Sequence, residues 1–149
     1  MDAMKRRPWC LPLLLCALLA ACDDPPAESA AELVQQRLAG TWLREYEEQG
    51  TRVRRILVLE PGGHFRENST LVAPGAAARQ DASGEGEWSF DGTNLKRRYT
   101  YINGRPASHP FMPYATFELS FPSRLEFIGV DHVRQREVRY RRVADGTKP

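Results

Sequence analysis

From Gly40 onward the chain alternates apolar and polar side chains with a period of two, and turn residues recur about every ten positions. Thr116-Phe117-Glu118-Leu119-Ser120-Phe121 alternates strictly. The pattern predicts strands over residues 41–48, 52–59, 64–71, 84–90, 94–102, 115–121, 124–130 and 133–143. Glu60-Pro61-Gly62-Gly63, Asp91-Gly92 and Pro122-Ser123 are expected turns, since Gly accepts positive φ and Pro presets it. Two connections read as long: an Ala- and Gly-rich one from Val72 to Ser83, and one from Asn103 to Tyr114 with three prolines. Eight antiparallel strands in chain order lose both sheet edges by closing into an up-and-down barrel. The expected fold class is therefore all-β, with a two-sheet sandwich as the alternative.

One helix precedes the strands. Ala30 to Leu38 places Leu33, Val34 and Leu38 among polar residues, Ser29 and Glu32 have capping-box spacing, and Gly40 ends the segment. In a meander the first, third, fifth and seventh connections share one end. The two long connections are the third and fifth, so both fall at that end, while the helix approaches the other and can cap it. That arrangement suits a binding cup, although long loops are also tolerated as plain insertions.

Gly40-Thr41-Trp42, directly after a short helix and at the start of the first strand, resembles the signature of the lipocalin-like, or calycin, barrels. The resemblance covers about residues 31–143. It implies that Trp42 packs near the closed end and that a basic residue late in the last strand, here Arg142, lies across it. The second motif of true lipocalins, between the sixth and seventh strands, is not evident, so the kinship is one of architecture rather than ligand.

With the Trp42 face inward, alternation places Trp42, Arg44, Tyr46, Phe65, Glu67, Ser69, Trp88 and Phe90 inside. Leu95, Arg97, Tyr99, Tyr101, Phe117, Leu119, Phe121, Leu125, Phe127, Arg136, Val138 and Tyr140 complete that face. The second strand is apolar on both faces near Ile56 to Leu59, which leaves its register open. Two readings follow. In one, an aromatic pocket containing Trp88 uses Arg44, Tyr46, Glu67, Arg97, Tyr99 and Tyr101 to hold a small amphiphilic or anionic ligand, Arg suiting carboxylate or phosphate by its planar fork. In the other, Arg97 or Arg44 pairs with Glu67 inside a filled barrel, which would act by its outer surface as an envelope assembly or stress-response partner.

The N-terminus carries an address. Lys5-Arg6-Arg7 followed by the apolar run Trp9 to Ala21 fits a signal peptide, being too short for a membrane span of roughly 20 residues. Either Met1 or Met4 can be the start, and Arg6-Arg7 alone is a weak twin-arginine signal. Leu19-Ala20-Ala21-Cys22 resembles the lipobox of bacterial lipoproteins. The resemblance implies a signal peptide over 1–21, palmitate-type acylation at Cys22, and a membrane-anchored protein of the cell envelope facing the periplasm. Asp23 resembles an inner-membrane retention signal, while the choice between inner and outer membrane stays open. Residues 22–29 read as a tether, 30–143 as the barrel, and 144–149 as a disordered tail.

The remaining chemistry is sparse. Of 21 basic and 19 acidic residues, three and one lie in residues 1–21, leaving 18 of each sign and no bias toward nucleic acid. Cys10 and Cys16 lie in the leader, so the mature domain has no thiol for a disulfide or a metal. No nucleophile–base arrangement is visible, so no enzyme activity and no cofactor are expected. His64 is expected at one end of the barrel and His109 and His132 at the other, a poor zinc set. The arginines of the last strand occupy both of its faces, as edge protection would; docking to anionic headgroups is the competing view.

Overall fold

The computed structural model describes residues 29–108 and 114–149. Residues 1–28, with Cys22 and Asp23 among them, and residues 109–113, with His109, lie outside the described residues. Helix α1 (Ala30–Leu38) is followed by β1 (Gly40–Glu48), β2 (Thr51–Leu59), β3 (His64–Val72), β4 (Gln80–Phe90), β5 (Asn94–Ile102), β6 (Arg105–Pro106), β7 (Tyr114–Ser123), β8 (Glu126–Asp131) and β9 (Arg136–Val143). The long strands pair antiparallel in chain order, and β1 pairs with β9, so the sheet is a closed eight-stranded up-and-down barrel. The two-residue β6 is a flap on the end of β5.

The helix starts as its sequence dictates: Ser29 N–H donates to Glu32 Oε2 at 2.6 Å, and Glu32 N–H donates to Ser29 Oγ at 3.2 Å. Those bonds satisfy donors that a helix start leaves open. The same backbone donor holds the exposed Glu32 carboxyl below its ordinary pKa. At the other end Leu38 is fully buried, and its carbonyl accepts the Trp42 indole N–H at 2.8 Å. The helix thereby closes the short-loop end of the barrel.

Trp42 is the floor of the core. Phe127 meets it edge-on at 4.8 Å, and Phe127 in turn stacks on Tyr140 at 4.9 Å. Leu57, Leu59, Phe65, Trp88, Phe90, Leu95 and Phe117 fill the rest of the closed half. The guanidinium carbon of Arg142 sits 4.5 Å from the Trp42 ring centroid, and its Nη2 donates to the carbonyls of Arg37 and Ala39. Gly40 has φ +135°, and a Cβ there would lie 2.3 Å from Arg142 Nη1, so only glycine admits this clasp.

The structure departs from the sequence reading in several places, each with a local cause. Strand β4 starts at Gln80 rather than residue 84, because Gln80 to Ser83 pair with Asn68 to Leu71 and shorten the third connection. The turn between β7 and β8 falls at Arg124-Leu125 rather than Pro122-Ser123, since an irregularity between Ser120 and Ser123 extends β7. Leu125, expected inside, is therefore 62% exposed, and Phe121 lies at the rim against Phe90. Strand β9 begins at Arg136, because residues 132–135 form the turn that Asp131 caps through the Val133 and Arg134 N–H groups. The fifth connection opens with a hairpin: Asn103 and Gly104 both have positive φ, 51° and 72°, and return the chain as β6.

A bulge reshapes β5. Gly86 opposes Tyr99 and Glu85 opposes Tyr101, so Thr100 is an extra residue. Beyond it the faces exchange: Ile102 turns inward, and Tyr101, expected inside, is 44% exposed on the outer face. Beyond β9, residues 144–149 run over the outside of β1 to β3, where Thr41 Oγ1 donates to Asp145 Oδ1 at 2.6 Å and Arg54 Nε donates to the Lys148 carbonyl at 3.3 Å. Beside this tail lie Thr41, Ile56 and Val58.

A Cβ on Gly86 would lie 1.9 Å from the Arg98 carbonyl oxygen, whereas one on Gly62 meets nothing within 4 Å. Gly86→Ala is expected to lower the urea midpoint by the equivalent of about 1–3 kcal/mol. Gly62→Ala should stay within about 0.5 kcal/mol of the parent. Equal midpoints for the two variants would remove the bulge argument.

Candidate functional site

The open half of the barrel is charged. Among the described residues, four inward-facing arginines, Arg44 on β1, Arg55 on β2, Arg97 on β5 and Arg136 on β9, surround one inward glutamate, Glu67 on β3. Arg97 Nη1 donates to Glu67 Oε2 at 2.6 Å, and Arg55 Nε lies 3.5 Å from Glu67 Oε1. Arg55 Nε also donates to Ser69 Oγ at 2.9 Å. Arg97 is only 4% exposed, and its guanidinium carbon lies 5.4, 5.6 and 5.5 Å from the ring centroids of Phe65, Tyr99 and Phe117. Such faces attract a cation, and most strongly when it is desolvated.

Burial disfavours the Glu67 carboxylate, but the neighbouring charges of Arg97 and Arg55 outweigh it and hold the pKa below the ordinary value. Arg44 adds to that field but makes no ion pair with the carboxylate. Its guanidinium carbon stands 3.9 Å over the Tyr46 ring; burial, with repulsion from Arg55 and Arg136, lowers its pKa. Tyr99, deprived of solvent, is pushed up to about 12 and stays a neutral hydroxyl. Among the described residues neither Arg44 nor Arg136 has a carboxylate partner. The Nε atoms of Arg97 and Arg136 are buried and unpartnered as well.

These side chains border a cavity of about 250 Å³ at the end where the β3–β4, β5–β7 and β8–β9 connections lie. Tyr99, Ile102, Tyr114, Ala115, Phe117 and Tyr140 supply the apolar part of its wall. Arg134 stands at the rim, where Asp131 already neutralises it at 2.9 Å. Wider grooves of about 530, 540 and 660 Å³ lie outside the barrel beside residues 144–149, away from this charge cluster.

Of the residues singled out from sequence, the fold brings Arg44, Arg97 and Tyr99 to the cavity wall. Glu67 joins them by pairing with Arg97, and Tyr46 by lying beneath Arg44 and Arg55. Trp88 is elsewhere: its indole N–H donates to the Glu60 carbonyl at 2.9 Å at the closed end. Tyr101 is outside the barrel. Gly40, Trp42 and Arg142 form the floor clasp already described, and Cys22 is not among the described residues. Sequence reasoning missed Arg55 because β2 is apolar on both faces. The signal was the two-residue link Gln49-Gly50, which pairs Glu48 with Thr51 and so sets Arg55 opposite Arg44.

His64 begins β3 at the closed end, whereas His132, 2.6 Å from Glu118, sits in the β8–β9 turn. Among the described residues no group of three or more His, Cys, Asp or Glu could hold a metal ion. No family model and no curated protein matches this chain.

Removing Glu67 would strand the buried guanidinium of Arg97 and the half-buried one of Arg55. Glu67→Ala is expected to cost about 3–5 kcal/mol by urea unfolding. The folded carboxylate has a depressed pKa, so its stabilisation is complete above the ordinary carboxylate value of about 4.3 and fades as pH falls through the folded one. The parent should lose stability more steeply than Glu67→Gln when the pH is lowered below about 4.3. Parallel acid curves would show that the pair contributes nothing through ionisation.

Proposed function

We propose that this chain is a lipid-anchored protein of the bacterial cell envelope whose barrel is a non-enzymatic binding module for a small anionic or amphiphilic ligand. The observation that carries the ligand reading is the cavity of about 250 Å³ walled by Arg44, Arg55, Arg97 and Arg136. A buried cation without a partner is costly, and a bound anion repays that cost. The cavity is somewhat smaller than the usual ligand pocket of about 300–1,000 Å³. It suits a compact anion, or an anionic head whose tail leaves through the mouth, better than a wholly enclosed acyl chain.

Anchorage rests on the resemblance of Leu19-Ala20-Ala21-Cys22 to a lipobox. More than one acyl chain on Cys22 would make attachment durable. The alternative is a barrel acting by its outer surface as an assembly or stress-response partner, a reading that the tightly filled closed half favours.

Native mass spectrometry of the full chain, purified gently from a bacterial envelope, tests the ligand. The expected result is a retained small anion, absent from Arg97→Ala. A ligand-free mass, with no uptake of fatty acids or aromatic anions on titration, would sink the pocket reading in favour of the outer surface. For the anchor, Cys22→Ser should abolish labelling by radioactive palmitate and move the protein from the membrane to the soluble fraction. Unchanged fractionation would reject lipidation at Cys22.

A further inference from the structure

The balance of charge inside the barrel constrains the ligand further. Glu67 is shared by Arg97 and Arg55, one negative charge against two. Arg44 and Arg136 face the same cavity with no carboxylate partner among the described residues, so the four guanidinium groups outnumber the one carboxylate by three charges. Arg44 is 8% exposed, so water does little to relieve it, and the buried Nε of Arg136 has no acceptor. Arg44 and Arg136 lie close enough to repel one another. A monoanion seated between them would leave one guanidinium without a counter-charge. A ligand with two negative charges would neutralise both and offer acceptors to their planar donor forks.

Resting on the anion-binding reading above, we infer that the cavity selects small dianions of the phosphate monoester type, with Arg44 and Arg136 as the residues that set the charge preference. The apolar wall formed by Tyr99, Ile102, Tyr114 and Phe117 would take an attached ring or short chain. A free phosphate monoester and the phosphate headgroup of a lipid share this chemistry.

The test compares phenyl phosphate, a dianion at pH 8 because its second pKa is about 6, with benzenesulfonate, a monoanion of similar shape. Both are titrated by calorimetry into the full chain in neutral detergent micelles. Phenyl phosphate is expected to bind at least tenfold more tightly. Arg44→Gln and Arg136→Gln should each bring the two affinities together, and Arg136→Lys, which keeps the charge, should restore the gap. Both glutamine variants remove an unpaired cation, so their ligand-free melting temperatures are expected to match or exceed the parent's, which separates loss of binding from loss of fold.

Equal affinities in the parent, both reduced by Arg97→Ala, would overturn the dianion preference while leaving an anion cavity in place. Absence of binding by either probe would overturn both. Where phenyl phosphate binds as expected, displacement by phosphatidic acid vesicles, and not by phosphatidylcholine vesicles, assigns the phosphate to a lipid headgroup. Failure of the vesicles to displace it assigns a free monoester.

Discussion

Closure of the sheet rests on a short seam. Only Thr41, Leu43 and Trp42 of β1 pair with β9, against nine paired positions between β1 and β2. So few ladder bonds are weak by themselves, and the side chains at the seam reinforce them. Trp42 and Arg142 are direct partners there, the guanidinium lies over the indole, and its remaining donors reach the carbonyls at the end of α1. A closed barrel has no exposed edge only while that seam holds. The floor of the core and the inward face of every other strand depend on it.

Above that floor the barrel changes character along its axis. The closed half is apolar and aromatic, while the open half concentrates guanidinium groups around one carboxylate. A filled interior and an open cavity, which are rival descriptions of small eight-stranded barrels, coexist here at different heights. The buried Arg97–Glu67 pair belongs to both. It completes the packing below and engages the glutamate that faces inward, so Arg44 and Arg136 border the cavity with no carboxylate partner among the described residues.

The strand count, the capped helix and the meander order were legible because alternation and turn residues are local signals. The Trp42–Arg142 contact was instead implied by the resemblance of Gly40-Thr41-Trp42 to a known barrel signature, with the antiparallel closure of the first and last strands pointing to Arg142. Two features were hidden for physical reasons. The bulge at Thr100 depends on Gly86, whose missing side chain lets the Arg98 backbone approach, and no period in β5 itself announces it. Tyr101 was therefore assigned to the wrong face. The face of Arg55 was obscured because Ile56 and Val58 point away from the core toward residues 144–149, which give apolar side chains a place outside the barrel. Apolarity on both faces erases the alternation on which register depends.

The clasp at the end of α1 also has a mechanical side. Arg142 grips the carbonyls of Arg37 and Ala39, while the Leu38 carbonyl holds the indole of Trp42. A pull applied at Ser29 would travel down the helix and arrive at the strand seam rather than at a loose hinge. Helix detachment, loss of the floor and parting of the seam would then be one rupture rather than three, with the load spread across side chains from both ends of the sequence.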